Sequence, residues 1–260
     1  MNEPHAPVVL IGVGEMGGVF ARALLKAGHT VVPVTRSTPV AEVAARIPEP
    51  MLVLITVGED DLSGVLESLP TEWKEHVVLI QNELLPRDWV RHGITDPTVG
   101  VIWFEKKKGS DTKVIVSSPF AGPKAQPLVD ALIADQIDAH VVGSDEIIDE
   151  LVAKNLYILV ANIAGLETGG SVGDLWDSHE DLARKVGTDV LAIQEYLVGS
   201  EVDADAAYRS MVAAFDADPE HGTTGRSAPR RLQRALSHAS DAGIEVATLT
   251  DIARAHDLDV

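Results

Sequence analysis

Val8-Val9-Leu10-Ile11-Gly12-Val13-Gly14-Glu15-Met16-Gly17 is an apolar strand running into a G-x-G-x-x-G turn, and Phe20, Leu24 and Leu25 follow at helical spacing. Gly12 permits a tight strand-to-helix turn, Gly14 lets the backbone approach a pyrophosphate, and Gly17 lets the helix lie close to its strand. Phosphates then meet free N–H groups at a helix N-terminus. Gly28 closes the helix and Thr30-Val31-Val32-Pro33-Val34-Thr35 supplies a second strand, completing the βαβ context that the fingerprint requires. The stretch therefore predicts an α/β, Rossmann-type doubly wound sheet with a dinucleotide on its glycine turn, and Glu15 and Met16 lie within the predicted cofactor loop.

The second strand ends in Thr35-Arg36-Ser37. An acid there would bond the ribose 2′-hydroxyl of NAD, whereas a guanidinium between two hydroxyls suits a 2′-phosphate. NADP(H) is the expected cofactor, with Arg36 as its phosphate ligand and Ser37 as a further donor.

Of the 260 residues, 40 are acidic and 21 basic, giving a formal charge of −19. Such a surface repels polyanions, and Lys106-Lys107-Lys108 is the one basic run, so nucleic acid is not an expected partner. There is no cysteine, which excludes disulfides and thiolate metal sites, and the histidines lack ligand spacing, so no metal is expected. Met1-Asn2-Glu3-Pro4-His5 lacks the basic and apolar runs of a signal peptide, and no segment approaches a membrane span. A cytoplasmic protein with no membrane partner is the expectation.

Strand-like runs follow at Met51 to Val57, Val77 to Gln81, Gly100 to Glu105, Lys113 to Ser117 and His140 to Val142, with helical segments at Val40 to Ile47 and Leu62 to Leu69. Trp103-Phe104-Glu105 and Thr112-Lys113-Val114 read as a hairpin around Gly109-Ser110. From about Gly143 helical periodicity takes over: Ile147 to Leu166, Ser178 to Val198, Ala204 to Phe215, Arg230 to Ala242 and Thr248 to Ala255. The predicted division is 1–143 for a cofactor domain and 144–260 for an all-α substrate and catalytic domain. Asp174, Asp177, Glu180 and Asp181 read as capping around Ser178, and Asp216 to Pro229 as a mobile loop.

The run from Asp149 to Leu166 is apolar nearly all round, which marks a buried helix. Lys154 and Asn162 are polar exceptions about 80° apart on one side of it. A lysine there is either a snorkelling side chain or a group whose pKa desolvation lowers toward the range useful for proton transfer.

Together these features resemble the ketopantoate reductase (2-dehydropantoate 2-reductase) family: Gly12-Val13-Gly14-Glu15-Met16-Gly17, Arg36, Gln81-Asn82, and a long helix with Lys154 and then Asn162. Gly173-Asp174-Leu175 follows the family pattern in spacing, and the likeness spans roughly residues 8 to 175. The resemblance implies an NADP-dependent oxidoreductase of pantothenate biosynthesis that reduces a small 2-oxo acid. By it Lys154 would protonate the substrate carbonyl, Asn82 would position nicotinamide and substrate, Asn162 would bind the substrate's polar groups, and Thr56 and Val57 would join the cofactor site. Ser227, with Arg226 and Arg230, falls in the family's substrate region.

The chain departs from the pattern as a divergent and shortened member would. Glu83 stands where a glycine usually follows Q-N, Ile158 replaces a second asparagine, and Val57-Gly58-Glu59-Asp60-Asp61 replaces a lysine-bearing segment. The acidic substrate block near the C-terminus gives way to Gly225-Arg226-Ser227-Ala228-Pro229-Arg230-Arg231-Leu232-Gln233. These losses fall on the substrate side. A non-catalytic NADP-binding sensor or scaffold, and a reductase of other small carbonyls or imines, therefore stand beside the 2-oxo-acid reductase. Assembly is left open, a homodimer being the form allowed for.

Overall fold

The computed structural model describes residues 6–258, so the Met1 to His5 reading lies outside the described residues. The elements are β1 (Val8–Ile11), α1 (Glu15–Lys26), β2 (Val31–Val34), α2 (Val40–Arg46), β3 (Leu52–Ile55), α3 (Glu59–Ser68), β4 (Val77–Leu79), α4 (Pro86–Val90), β5 (Thr98–Gly100), β6 (Phe104–Glu105), β7 (Lys113–Val114), β8 (Ser118–Ala121), α5 (Ala125–Ala134) and β9 (Ala139–Val141). They are followed by α6 (Glu146–Thr168), α7 (Val172–Val198), α8 (Ala204–Ala217), α9 (Ala228–Ala242) and α10 (Ala247–Ala255). The chain divides into two compact units, Met1–Ile148 and Asp149–Val260.

In the first unit the sheet runs β2-β1-β3-β4-β5-β8-β9. Its pairs are parallel except β5 with β8, where Val99 faces Ala121 and Gly100 faces Phe120. The chain leaves β1 to one side for β2 and to the other for β3, so β1 and β3 form the switch point at which the following loops diverge and open a crevice. This is the expected doubly wound α/β class. Residues Leu52 to Ile55 are fully buried, as strands covered on both faces must be. On one face Phe20 and Leu24 of α1 pack with Leu128 and Leu132 of α5 over Leu10, Leu54 and Phe120. Pro33, which cannot donate to a ladder, is tolerated because β2 is an edge strand.

Asp135, at the end of α5, is 1% exposed and receives both Arg22 Nε at 2.7 Å and Lys26 Nζ at 2.6 Å from α1. Burial alone would raise its pKa, but the bonds from Lys26 and Arg22 outweigh it and hold the carboxyl below its ordinary value.

The expected hairpin is present, with Phe104 opposite Val114 and Glu105 opposite Lys113. The expected Lys113 to Ser117 strand stops at Val114, and the sheet instead takes in Ser118–Ala121, whose Ser-Pro-Phe-Ala sequence carries little strand signal.

In the second unit, Asn155 Nδ2 donates to Gln194 Oε1 at 2.9 Å, pairing the buried amides of α6 and α7. The Tyr157 and Phe215 rings lie 5.3 Å apart. Asp189 accepts from the N–H groups of Thr248 and Leu249, so α7 caps α10. The helix expected from Ser178 begins at Val172: Ser171 Oγ accepts from the Asp174 N–H, and the Asp174 carboxylate accepts from Ser171 N. Of the acidic cluster it is Asp174 that takes part in a cap, with Ser171 as the capping residue, while Glu180 pairs with Arg184, and the Ser178 signal falls beside His179, whose φ of −134° marks a kink joining two helical pieces.

Candidate functional site

Gly12 has φ +93°, a conformation that L side chains rarely adopt, and its N–H donates to Val34 O at 2.9 Å, tying the turn to β2. A Cβ at Gly17 would collide with the Gly12 carbonyl, whereas one at Gly14 would meet no protein atom. No side chain caps α1, so its first-turn N–H groups point at that open space. Thr56 fixes the loop from the other side of the switch point, its hydroxyl donating to Gly12 O at 2.6 Å. These features fit a dinucleotide diphosphate.

The turn opens into a cavity of about 730 Å³ lined by Gly12, Gly14, Thr35, Arg36, Ser37, Thr56 and Val57 among others. Six of the residues expected from sequence to touch cofactor, Gly12, Gly14, Arg36, Ser37, Thr56 and Val57, thus share one cavity. Glu15 lines a separate pocket, where Lys106 Nζ lies 3.8 Å from its carboxylate. Met16 lines neither and packs against the core.

At the far end of the cavity the hydroxyls of Thr35 and Ser37 are 3.0 Å apart, as are those of Thr35 and Thr38, and Thr38 Oγ1 accepts from Thr35 N. Arg36 is 95% exposed, and its Nη2 donates to Asp61 Oδ2 at 3.1 Å. Thr38 and Asp61 both line the cavity, and the sequence reading named neither as a ligand. Thr-Arg-Ser-Thr carried the signal for the first. The acidic first turn of α3 carried the second, though it also reads as ordinary dipole complementation.

At the end of β4 the Gln81 amide donates to Ile55 O at 2.8 Å and Val57 O at 3.2 Å, holding the ends of β3 and β4 together. Asn82 follows it, exposed, and Glu83 sits at φ 58° where the family pattern has glycine.

In the second unit Lys154 lies in the first half of α6. The residue keeps some solvent contact, but protein surrounds its ammonium, and desolvation, assisted by the charge of Arg231, lowers its pKa from 10.5 to about 7. The ammonium also lies 5.1 Å from the centre of the Tyr157 ring. Two turns on, Asn162 Nδ2 donates to Thr223 O at 3.1 Å and Oδ1 accepts from Arg231 Nη1 at 2.8 Å. The Asp216 to Pro229 segment, expected as a mobile loop, is pinned at its centre. Thr223 is fully buried, its hydroxyl bonds the carbonyls of Gly169 and Gly170, and it fills the space that a side chain at Gly165 would need. Ser227, Arg226 and Arg230 are exposed, and Ser227 makes no side-chain cap to α9. The cation that reaches Asn162 is Arg231, which the sequence reading passed over.

The fold is a doubly wound α/β unit with a glycine turn at its switch point, accompanied by a helical second unit. Among solved structures, the chain matches the 2-dehydropantoate 2-reductase of Methylococcus capsulatus with a TM-score of 0.69 at 14% identity, over 96% of both chains. It matches a dimeric ketopantoate reductase from Staphylococcus aureus with a TM-score of 0.65 at 14% identity, over 95% of this chain and 96% of that one. It matches a D-mandelate dehydrogenase in complex with NADH with a TM-score of 0.64 at 14% identity, over the same shares of the two chains. No protein-family model and no curated protein matches the sequence. The resemblance read from the motifs is borne out as a shared fold, at an identity that fits a divergent relative. Among the described residues no helix is long and apolar enough to cross a membrane.

Proposed function

We propose that the protein is an NADPH-dependent reductase of small 2-oxo acids, working as the ketopantoate reductases do. The observation that carries this reading is Lys154, an ammonium on a buried helix with its pKa lowered to about 7. A group near that value exists in both forms at neutral pH and is suited to general acid catalysis. The first unit would hold the dinucleotide and the second would supply the acid.

Bound NADPH supplies the hydride. As the substrate carbonyl oxygen gains negative charge, Lys154 in its ammonium form stabilises it and gives up a proton, a role typically contributing ~10²–10⁴ in rate. Asn82 would orient the reacting groups from the end of β4. Arg36 would pair with the 2′-phosphate, with the Thr35, Ser37 and Thr38 hydroxyls as further donors. Asp61 competes for the same guanidinium, so 2′-phosphate binding has to displace a carboxylate. A homodimer is the assembly proposed, by analogy with the dimeric Staphylococcus aureus enzyme.

Titration of the nicotinamide cofactors, followed by a panel of 2-oxo acids, tests the reading. NADPH should bind more tightly than NADH. Arg36→Ala should largely remove the preference, while Asp61→Asn should strengthen it several-fold, since an exposed ion pair is worth about 0–1 kcal/mol. Equal affinities in the wild type would remove Arg36 from the phosphate site. NADPH binding without turnover of any carbonyl would favour a sensor.

A further inference from the structure

The end of β2 carries no acid, yet a carboxylate stands beside Arg36, delivered by another element. β2 and β3 flank β1 in the sheet, so the segments that follow them lie on either side of the glycine turn. β3 leads through Thr56-Val57-Gly58 into α3, whose first turn is Glu59-Asp60-Asp61. Of those three acids, Asp61 is the one that lines the cavity with Arg36. Its N–H donates to Gly58 O at 3.1 Å, and its Oδ2 accepts from Arg36 Nη2 at 3.1 Å. It belongs to the segment that replaces the lysine-bearing one of the ketopantoate reductase pattern, so an acid enters a stretch where that pattern has a base.

We propose that Asp61 is the ribose acceptor of this cavity, so that Arg36 and Asp61 together make one site for both nicotinamide dinucleotides, NADPH held by the first and NADH by the second. The inference rests on reading the cavity as a nicotinamide dinucleotide site, and it adds the carboxylate that the end of β2 lacks. A carboxylate only accepts, a guanidinium only donates, and a hydroxyl does both. The 2′-hydroxyl of NADH can therefore donate to Asp61 while accepting from Arg36, and the ion pair serves it without being broken. The 2′-phosphate of NADPH is an anionic acceptor that Asp61 repels, so Arg36 has to leave the carboxylate to hold it. The exchange costs little, because Arg36 is almost fully exposed, Asp61 is half-exposed, and an exposed ion pair is a weak tie. The hydroxyls of Thr35, Ser37 and Thr38 donate or accept and so serve either ligand. Arg36 selects for the phosphate, and Asp61 selects for its absence.

The experiment measures, by calorimetric titration, the affinities of NADPH, NADH and an NADH analogue lacking the adenosine 2′-hydroxyl for wild type, Asp61→Ala and Arg36→Ala. Circular dichroism reports the fold of each variant. Wild type should bind both natural cofactors and should bind the deoxy analogue more weakly than NADH. Asp61→Ala should weaken NADH roughly 3- to 10-fold, the lower part of the range for a hydrogen bond to a charged group because the site is exposed, and should tighten NADPH several-fold. It should also bind NADH and the deoxy analogue alike. Arg36→Ala should lose affinity for NADPH far more than for NADH. Opposite signs for the two cofactors in Asp61→Ala identify a selecting residue, since a merely structural role would weaken both. NADH affinity unchanged or increased in folded Asp61→Ala, or wild type that does not distinguish NADH from its deoxy analogue, overturns the assignment of Asp61. Wild type that binds NADPH but no NADH overturns it too and leaves the NADPH reading standing, whereas wild type that binds neither overturns the dinucleotide reading, and the assignment with it.

Discussion

Lys154 makes a sharp demand on pH. Its folded pKa of about 7 lies below the ordinary 10.5, so between those values the unfolded chain holds a proton that the native protein has released. Stability contributed at this residue therefore rises with pH through that window, and below pH 7 the fold carries the full desolvation cost of the ammonium. Lys154→Met should raise the denaturation midpoint at pH 6, and the gain should shrink as pH approaches 10. Chemical denaturation of both proteins at the two pH values checks this, and a gain independent of pH would contradict it. Lys154 was legible in the sequence because a cation on an otherwise apolar helix stands out. Arg231 was not, because two adjacent arginines at a helix start differ only in rotation about the axis. The stripe of Ala228, Leu232, Ala235 and Ala239 would have separated them.

At the scale of elements, the glycine turn was readable because each glycine answers a separate steric demand: positive φ at Gly12, open space at Gly14 and collision at Gly17. β8 was not, because Ser118-Pro119-Phe120-Ala121 becomes a strand through the neighbours it lies between, β5 and β9, and through no pattern of its own. The pinned Asp216 to Pro229 segment failed for a similar reason. Its Gly, Pro and Thr content reads as loop, while the buried contacts of Thr223 with Gly169 and Gly170 are long-range in sequence. The clamp of Asp135 on Arg22 and Lys26 ties α5 to α1, the helix that begins at the glycine turn. Asp135→Ala should destabilise the protein by about 1–3 kcal/mol at neutral pH, the range for hydrogen bonds to a charged group, and toward its lower end because both cations stay half exposed. The carboxyl's folded pKa is lowered, so this stabilisation is complete above the ordinary carboxyl value of 3.8 and is lost as pH falls through the folded one. Thermal melts at pH 7 and in strong acid should show the difference narrowing, and an equal difference at both would assign it to packing.

Over the whole molecule, the proposed function divides the labour between the α/β unit, which would take the dinucleotide, and the helical unit, which carries Lys154, Asn162 and Arg231. The likeness to the ketopantoate reductase pattern is uneven: the glycine turn and Arg36 match it, while the C-terminal segment is basic where that pattern is acidic. The glycine turn is more legible in the sequence than any substrate site, since a phosphate-binding turn is a local backbone motif, whereas side chains of α6 and α9 are brought together only by the fold. The central claim is that Lys154 is the proton donor of an NADPH-dependent carbonyl reduction. Its most direct test is steady-state NADPH consumption with the best of a panel of 2-oxo acids, in wild type and Lys154→Met, with NADPH affinity measured on both. The account predicts turnover by wild type, a ~10²–10⁴-fold fall in kcat for Lys154→Met, and unchanged NADPH affinity. Turnover by Lys154→Met equal to wild type would contradict it.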